Sequence, residues 1–296
     1  MIVVTAPTAK IGSRVVEHLL AAGEPTRVLV RDPQRLSPTV RERVEVVTGS
    51  HRDPTVVHKA FTGADAIFWL MPADTQAPNA VAAYVEASRP GIKAVTEHGV
   101  GHVVGVSALG RGTPVASQAG HVTGSLAMDD LFAAATNYRA LANPSFMDNT
   151  LREIPSILAN HTIGTPVAAD RKLPMVATRD IAAAAARLLL DPTWHGFAEV
   201  PLLGPEDLSG NDMAATITDV LGFPVRYEQT DSHALEAAML THGASAGMAR
   251  AMTEMMIAKD NGLDEGVVRT AANTTPTTFH QWCTEVLKPA VDAALG

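Results

Sequence analysis

Cysteine is almost absent. Cys283 stands alone, which excludes an internal disulfide framework and any metal site built from several thiolates, and fits a reducing compartment. Lysine and arginine form no run and the formal net charge is -8, so the cationic footprint that counterion release requires is missing and nucleic acid is not an expected partner. No stretch approaches the roughly 20 consecutive apolar residues that span a bilayer, so no membrane association is expected. Met1 to Val4 lead straight into an apolar run with no basic leader, which makes a cytoplasmic location the expectation. What is present is ordinary for a folded soluble protein: 296 residues, 46% hydrophobic and 18% charged, enough for one large α/β unit with an appendage or for two modest domains.

Apolar runs and helical periods alternate along the first half. Met1–Thr5 reads as a strand, and Ser13–Ala22 carries Val15, Val16, Leu19 and Leu20 at helical spacing before Gly23 stops it. Further strands are expected at Arg27–Val30, Val44–Val47, Ala66–Met71, His102–Val106 and Arg139–Ala142, with helices at Thr55–Phe61, Val81–Ser88 and Met128–Thr136 between them. Strands separated by single helices require right-handed parallel crossovers. The fold class is therefore α/β, a doubly wound parallel sheet in the order 3-2-1-4-5-6, with ligand at the C-terminal ends of the strands. Beyond Thr150 the alternation gives way to helices rich in Ala and Met. Residues 1–150 are expected to form a nucleotide-binding Rossmann domain, and 151–296 a smaller, mostly helical substrate-side lobe packed on it, with parts returning to the sheet.

Thr5-Ala6-Pro7-Thr8-Ala9-Lys10-Ile11-Gly12 lies between the first strand and first helix, where a dinucleotide pyrophosphate meets a helix N-terminus. Arg31 ends the second strand about twenty residues after the loop, where an arginine pairs with a ribose 2′-phosphate. That favours NADP, with NAD possible; the competing reading is a solvated Arg31–Asp32 pair. Ser50 and His51 fall near the adenine edge and read as a turn.

Several segments carry a family resemblance: Arg27–Pro33 (RVLVRDP), Phe146–Asn149 (FMDN), Asp180–Ala184 (DIAAA), Leu203–Ser209 (LGPEDLS) and Thr275–Phe279 (TPTTF). In this order they resemble the NmrA-like group of atypical short-chain dehydrogenases/reductases. The first loop departs from that group's TGxTGxxG pattern: Ala6 and Ala9 stand at the first two glycines and only Gly12 remains. A methyl is unfavourable where the turn needs positive φ or where backbone nears phosphate, and Pro7 removes an amide donor. The loop therefore reads in two ways, as a nucleotide site or as a Rossmann-shaped turn that holds none. A Tyr-x-x-x-Lys pair, the usual proton-delivery device of carbonyl-reducing members, is absent, and no lysine stands between Lys93 and Lys172.

The resemblance implies that Thr5, Pro7, Thr8, Lys10, Ile11, Gly12 and Arg31 bind the phosphates. It places the nicotinamide among Met71, Pro72 and Ala73, then Ser107, Ala108 and Leu109, and Asn143, Pro144, Ser145 and Phe146. His121 is the one imidazole assigned to the pocket, as a proton donor or substrate anchor, against a structural reading as a partly exposed residue at a helix start. His98 and His102 read as structural, Asp180 as a helix cap, and Tyr84 as core. The helix bearing Met248, Met252, Met255 and Met256 reads as lobe core or as a pliable lid.

Three functions follow as alternatives. The leading one is an NADPH-dependent reductase of a quinone or other conjugated small molecule, whose acceptor takes its proton from water. The second is a non-catalytic NAD(P)-sensing regulator with a protein partner, and the third an enzyme on this scaffold that no longer uses nucleotide.

Overall fold

The computed structural model describes every residue except Ala73. The first half of the chain runs β1 (Ile2–Thr5), α1 (Lys10–Ala21), β2 (Thr26–Val30), α2 (Pro38–Arg41), β3 (Glu45–Thr48) and α3 (Pro54–Phe61). It continues with β4 (Ala66–Trp69), α4 (Ala87–His98), β5 (His102–Ala108), α5 (His121–Ala135) and β6 (Asn137–Asn143). Next come β7 (Ser145–Phe146), α6 (Ile154–Asn160), β8 (Thr162–Ile163), β9 (Leu173–Val176), α7 (Thr178–Leu189) and β10 (Phe197–Pro201). The chain ends with β11 (Asp207–Leu208), α8 (Gly210–Leu221), β12 (Arg226–Tyr227), α9 (Ser232–Thr241), α10 (Ala246–Asp260), α11 (Phe279–Trp282) and α12 (Lys288–Leu295).

Contacts divide the chain into two compact units that interleave in sequence. One comprises Met1–Ala108, Thr123–Ala142 and Ile181–Val200, and the other Leu109–Val122, Asn143–Asp180 and Pro201–Gly296. β10, from far beyond residue 150, is a part of the chain that returns to the sheet. Among the described residues no helix is long and apolar enough to cross a membrane.

The first unit is built on a seven-stranded sheet in the order β3-β2-β1-β4-β5-β6-β10. The expected order 3-2-1-4-5-6 holds, with one edge strand added. Strands β1 to β5 pair in parallel, Ile2 standing opposite both Thr26 and Ala66. β1 and β4 are buried along their whole length, which is why they read as unbroken apolar runs rather than as alternating ones. Trp69, Phe61, Phe132 and Tyr138 are fully buried in the core. Trp69 lies so close to α4 that a Cβ on Gly91 would meet its indole at 2.5 Å. α4 is preceded by a π-helical stretch at Ala82–Glu86, so the helix expected at Val81–Ser88 runs a further ten residues, to His98.

The second unit holds a three-stranded sheet, β11-β9-β7, and a parallel β8–β12 pair. Its core gathers Met147, Ile157, Ile217, Phe279, Trp282, Cys283 and Leu287, with the Phe279 and Trp282 rings stacked 5.8 Å apart. Cys283 is fully buried in that cluster, and burial pushes its thiol up to about 12 by penalising the thiolate. Native protein is therefore expected to leave Cys283 unmodified by a thiol-specific reagent at pH 8, with full reaction once denaturant is added. Stoichiometric labelling of the native chain would contradict the packing.

Candidate functional site

The first loop turns on one strained residue. Ala6 takes a left-handed conformation, φ 50°, and its carbonyl accepts the Ala9 amide at 3.0 Å. A Cβ on Gly12 would lie 2.2 Å from that same carbonyl oxygen, so glycine at 12 is what lets α1 start against the turn. Ala9 is extended, φ -80° and ψ 157°, a conformation that alanine adopts freely. Of the two glycine replacements, only Ala6 therefore carries conformational strain. α1 starts without a side-chain cap and without an acidic residue in its first turn, so its partial positive charge is left for an external anion. Thr5 anchors the loop: its hydroxyl donates to Phe68 O at 3.1 Å and accepts from Leu70 N at 2.9 Å, tying β1 to β4. Pro7, Ile11 and Gly12 are buried, Thr8 is half-buried and Lys10 exposed.

Arg31, just past β2, is exposed. Asp32 instead caps the following turn, accepting Gln34 N at 3.0 Å, and among the described residues Arg31 forms no ion pair. Ser50 makes the expected turn, its hydroxyl accepting Arg52 N at 3.2 Å. His51 does more than turn. It packs edge-on against Trp69 at 5.9 Å, and burial, with Arg52 and Arg31 nearby, lowers its imidazole to about 4. Arg52 pairs with Asp74 at 2.7 Å. Met71 is buried and Pro72 exposed; Ala73 lies outside the described residues. Ser107 and Ala108 close β5. Ser107 donates to Asp129, which also accepts the Tyr138 hydroxyl at 2.6 Å, and Asp129 is wholly buried. A Cβ on Gly105 would collide with the Tyr138 hydroxyl at 2.0 Å, so β5 needs glycine there for this carboxylate to hold Ser107. Sequence reasoning missed Asp129 and Tyr138 because nothing in the order of residues brings α5, β5 and β6 to one point. His98 and His102 are structural, bonding His58 Nδ1 at 3.0 Å and Trp194 O at 3.1 Å. Tyr84 is half-buried against the same core.

In the second unit, Asn143 is buried and its carbonyl accepts Leu109 N at 2.9 Å. Pro144 is buried as well, and Ser145 and Phe146 pair with Met175 and Val176 of β9. His121 is the first residue of α5, seven residues before the expected start at Met128. It is buried, and the loss of water around the imidazole lowers its pKa; the partly exposed alternative does not hold. The preceding Gly120, φ 51°, sits against α10, where a Cβ would meet Ala251 O at 1.9 Å.

The segments that carried the resemblance are wired to one another. Asp148 accepts Thr178 N at 3.2 Å at the start of α7. Asp180 is not the cap of that helix but lies in its first turn, and its carboxylate accepts Thr277 N at 3.1 Å and Thr277 Oγ1 at 2.8 Å. Gly204 N donates to Met175 O at 2.7 Å, and Thr275 N to Leu203 O at 2.6 Å.

Beside β7 and β9 lies a cavity of about 410 Å³, within the range of small-molecule sites. Phe146, Ile163, Met175, Met213 and Tyr227 line it, together with Met252, Met255 and Met256 from α10. Met248 alone of the four helical methionines is fully buried; the other three form cavity wall. The lining also carries polar and charged side chains, Asn149, Arg152, Glu153, Arg171, Tyr227 and Lys259 among them. Glu153 accepts Gly164 N at 3.4 Å, Lys259 pairs with Asp264 at 2.6 Å, and Tyr227 donates to main-chain carbonyls. His121 does not line it. A second concavity, of about 510 Å³, is an open groove bordered by the exposed His58, Lys59 and Lys93 of α3 and α4. The left-handed Ala6 yields a test of the loop. Ala6→Gly is expected to stabilise the protein by about 1 kcal/mol, read as a rise of roughly 2–4 °C in Tm, whereas an unchanged or lowered midpoint would contradict strain at this residue.

The family model described as NAD(P)H-binding matches residues 8–192. The NAD(P)H azoreductase of Xenophilus azovorans is 28% identical over 255 residues, 86% of each chain. An NADPH-dependent quinone oxidoreductase from Escherichia coli, solved with NADPH, superposes with a TM-score of 0.77 at 20% identity over the full length of both chains. The Citrobacter sp. triphenylmethane reductase, solved with NADP(H), gives a TM-score of 0.74 at 19% identity, covering 99% of this chain and 100% of that one. With the family-model match spanning more than half of its length, the chain belongs to the NAD(P)H-binding family.

Proposed function

We propose that this protein is an NADPH-dependent reductase of quinone-, azo- or dye-like conjugated small molecules. The observation that carries the reading is the methionine-lined cavity, which contains Ser145 and Phe146, the residues assigned to the nicotinamide side of the site. Thioether side chains are polarisable and adaptable, and they make favourable contacts with aromatic rings, which suits flat acceptors of varied outline. The cofactor fits the residues present. Thr8, Lys10, Ile11 and Gly12 offer the start of α1 to the pyrophosphate, with Thr5 and Pro7 shaping the turn, and Arg31 is free to meet the 2′-phosphate. The residues assigned to the nicotinamide are Met71, Pro72, Ser107 and Ala108 at the ends of β4 and β5, and Asn143, Pro144, Ser145 and Phe146 at the end of β6 and in β7.

When bound, the nicotinamide supplies a hydride. The chain's own part is placement: Asp129 fixes Ser107, the β7–β9 pairing fixes Phe146, and the apolar walls exclude water from the acceptor. His121, buried and outside the cavity lining, is proposed as support for the start of α5 rather than as an acid. The net charge of -8 and the lone buried Cys283 are in keeping with a small-molecule enzyme of the reducing cytoplasm that does not engage nucleic acid.

Removing the guanidinium at position 31 tests the cofactor side. Arg31→Ala is expected to raise the KM for NADPH roughly 10- to 100-fold, the worth of a charge-assisted contact, while leaving the KM for NADH within about twofold of its starting value. Equal changes for both nucleotides would contradict a 2′-phosphate contact.

A further inference from the structure

The chain lacks the tyrosine–lysine pair that delivers a proton in related reductases, yet a quinone or an azo bond must gain a proton along with its hydride. The cavity itself holds a carboxyl. Glu153, on the turn before α6, is half-buried, and its Oε2 accepts Gly164 N at 3.4 Å. Among the described lining residues it is the only carboxyl. The other ionisable groups there are already committed or differently placed. Tyr227 gives its proton to the carbonyls of Thr165 and Val167, at 2.9 and 2.6 Å. Lys259 is paired with Asp264 and Arg171 with Glu265, at 2.6 and 2.7 Å, while Arg152 is exposed. Loss of water around Glu153 raises its pKa, only partly offset by the Gly164 amide and Arg152, so more of it stays protonated near neutral pH than of a solvated glutamate.

We propose that Glu153 is the proton donor to acceptors bound in this cavity. The proposal rests on the reductase reading above and replaces water as the proton source. A quinone takes a hydride from NADPH and the proton of the Glu153 carboxylic acid, giving hydroquinone, NADP⁺ and the Glu153 carboxylate. An azo bond takes the same pair to become a hydrazine. Water reprotonates the carboxylate after product leaves. A triphenylmethane dye cation differs, because its central carbon takes up the hydride alone to become the neutral triarylmethane and needs no proton.

That difference supplies the test. Wild type, Glu153→Gln and Glu153→Asp are compared at saturating NADPH with a naphthoquinone, an azo dye and a triphenylmethane dye cation, and NADPH affinity is measured by titration. Glutamine keeps the acceptor for Gly164 N but has no acidic proton. Expected is a loss of about 10²-fold in kcat for the quinone and the azo dye with Glu153→Gln, typical of a lost general acid, and partial recovery with Glu153→Asp. The dye cation's kcat and the NADPH affinity should stay within about twofold of wild type. Equal losses for all three acceptors, or no loss for any, overturn the proposal while leaving the reductase reading standing. A wild type that reduces none of the three overturns that reading, and the proposal with it.

Discussion

The oxygen of Ala6 and the α-carbon of Gly12 approach so closely that any side chain at position 12 would collide with the carbonyl, and this contact decides where α1 begins. Because Ala6 holds φ at 50°, its carbonyl points back to close the turn on Ala9, and the first turn of α1 follows at once. Thr5 locks the other end of the loop to β4. The open amides of a helix with neither cap nor acidic first turn are thereby placed beside the C-terminal ends of β1 and β4, where the sheet order puts a dinucleotide. Alanine in place of glycine at position 6 costs strain, but it leaves the geometry of the turn intact.

The sheet was legible because burial on both faces writes itself as unbroken apolar runs, as at Ile2–Thr5 and Ala66–Trp69, and because single helices separate those runs. Boundaries were less so. α5 starts at His121 because Gly120 turns the chain where it meets α10, a long-range contact that leaves no local mark. β10 went unread since Phe197–Pro201 is a half-exposed edge strand ending in proline, with neither an alternating nor a buried pattern. Asp180 looked like a cap from its place before an apolar helix, yet its partner is Thr277, 97 residues away. The same limit hid Asp129, whose meaning comes only from Ser107 and Tyr138. It also hid the division of labour along α10, where Met248 is core and its three neighbours are cavity wall.

The chemistry that remains is that of a reductase stripped of its usual acid. Nothing on α5 replaces the tyrosine and lysine: Asp129 is consumed in holding two hydroxyls, and His121 is buried outside the cavity lining. On the proposed reading, selectivity rests with the cavity of the second unit, which thioethers and one half-buried carboxyl line. The segments that mark the family in sequence serve this unit structurally, since Asp148, Asp180, Gly204 and Thr275 all bond main chain within it.

Calorimetric titration of the purified chain with NADPH and with NADH addresses the central claim without reference to any acceptor. The account predicts one NADPH site per chain, with affinity for NADPH at least about tenfold above that for NADH, the difference that one well-placed 2′-phosphate contact supplies. Absence of heat with both nucleotides, together with an unshifted Tm in their presence, would contradict it and would mean that the loop at Ala6 has kept its shape while losing its ligand.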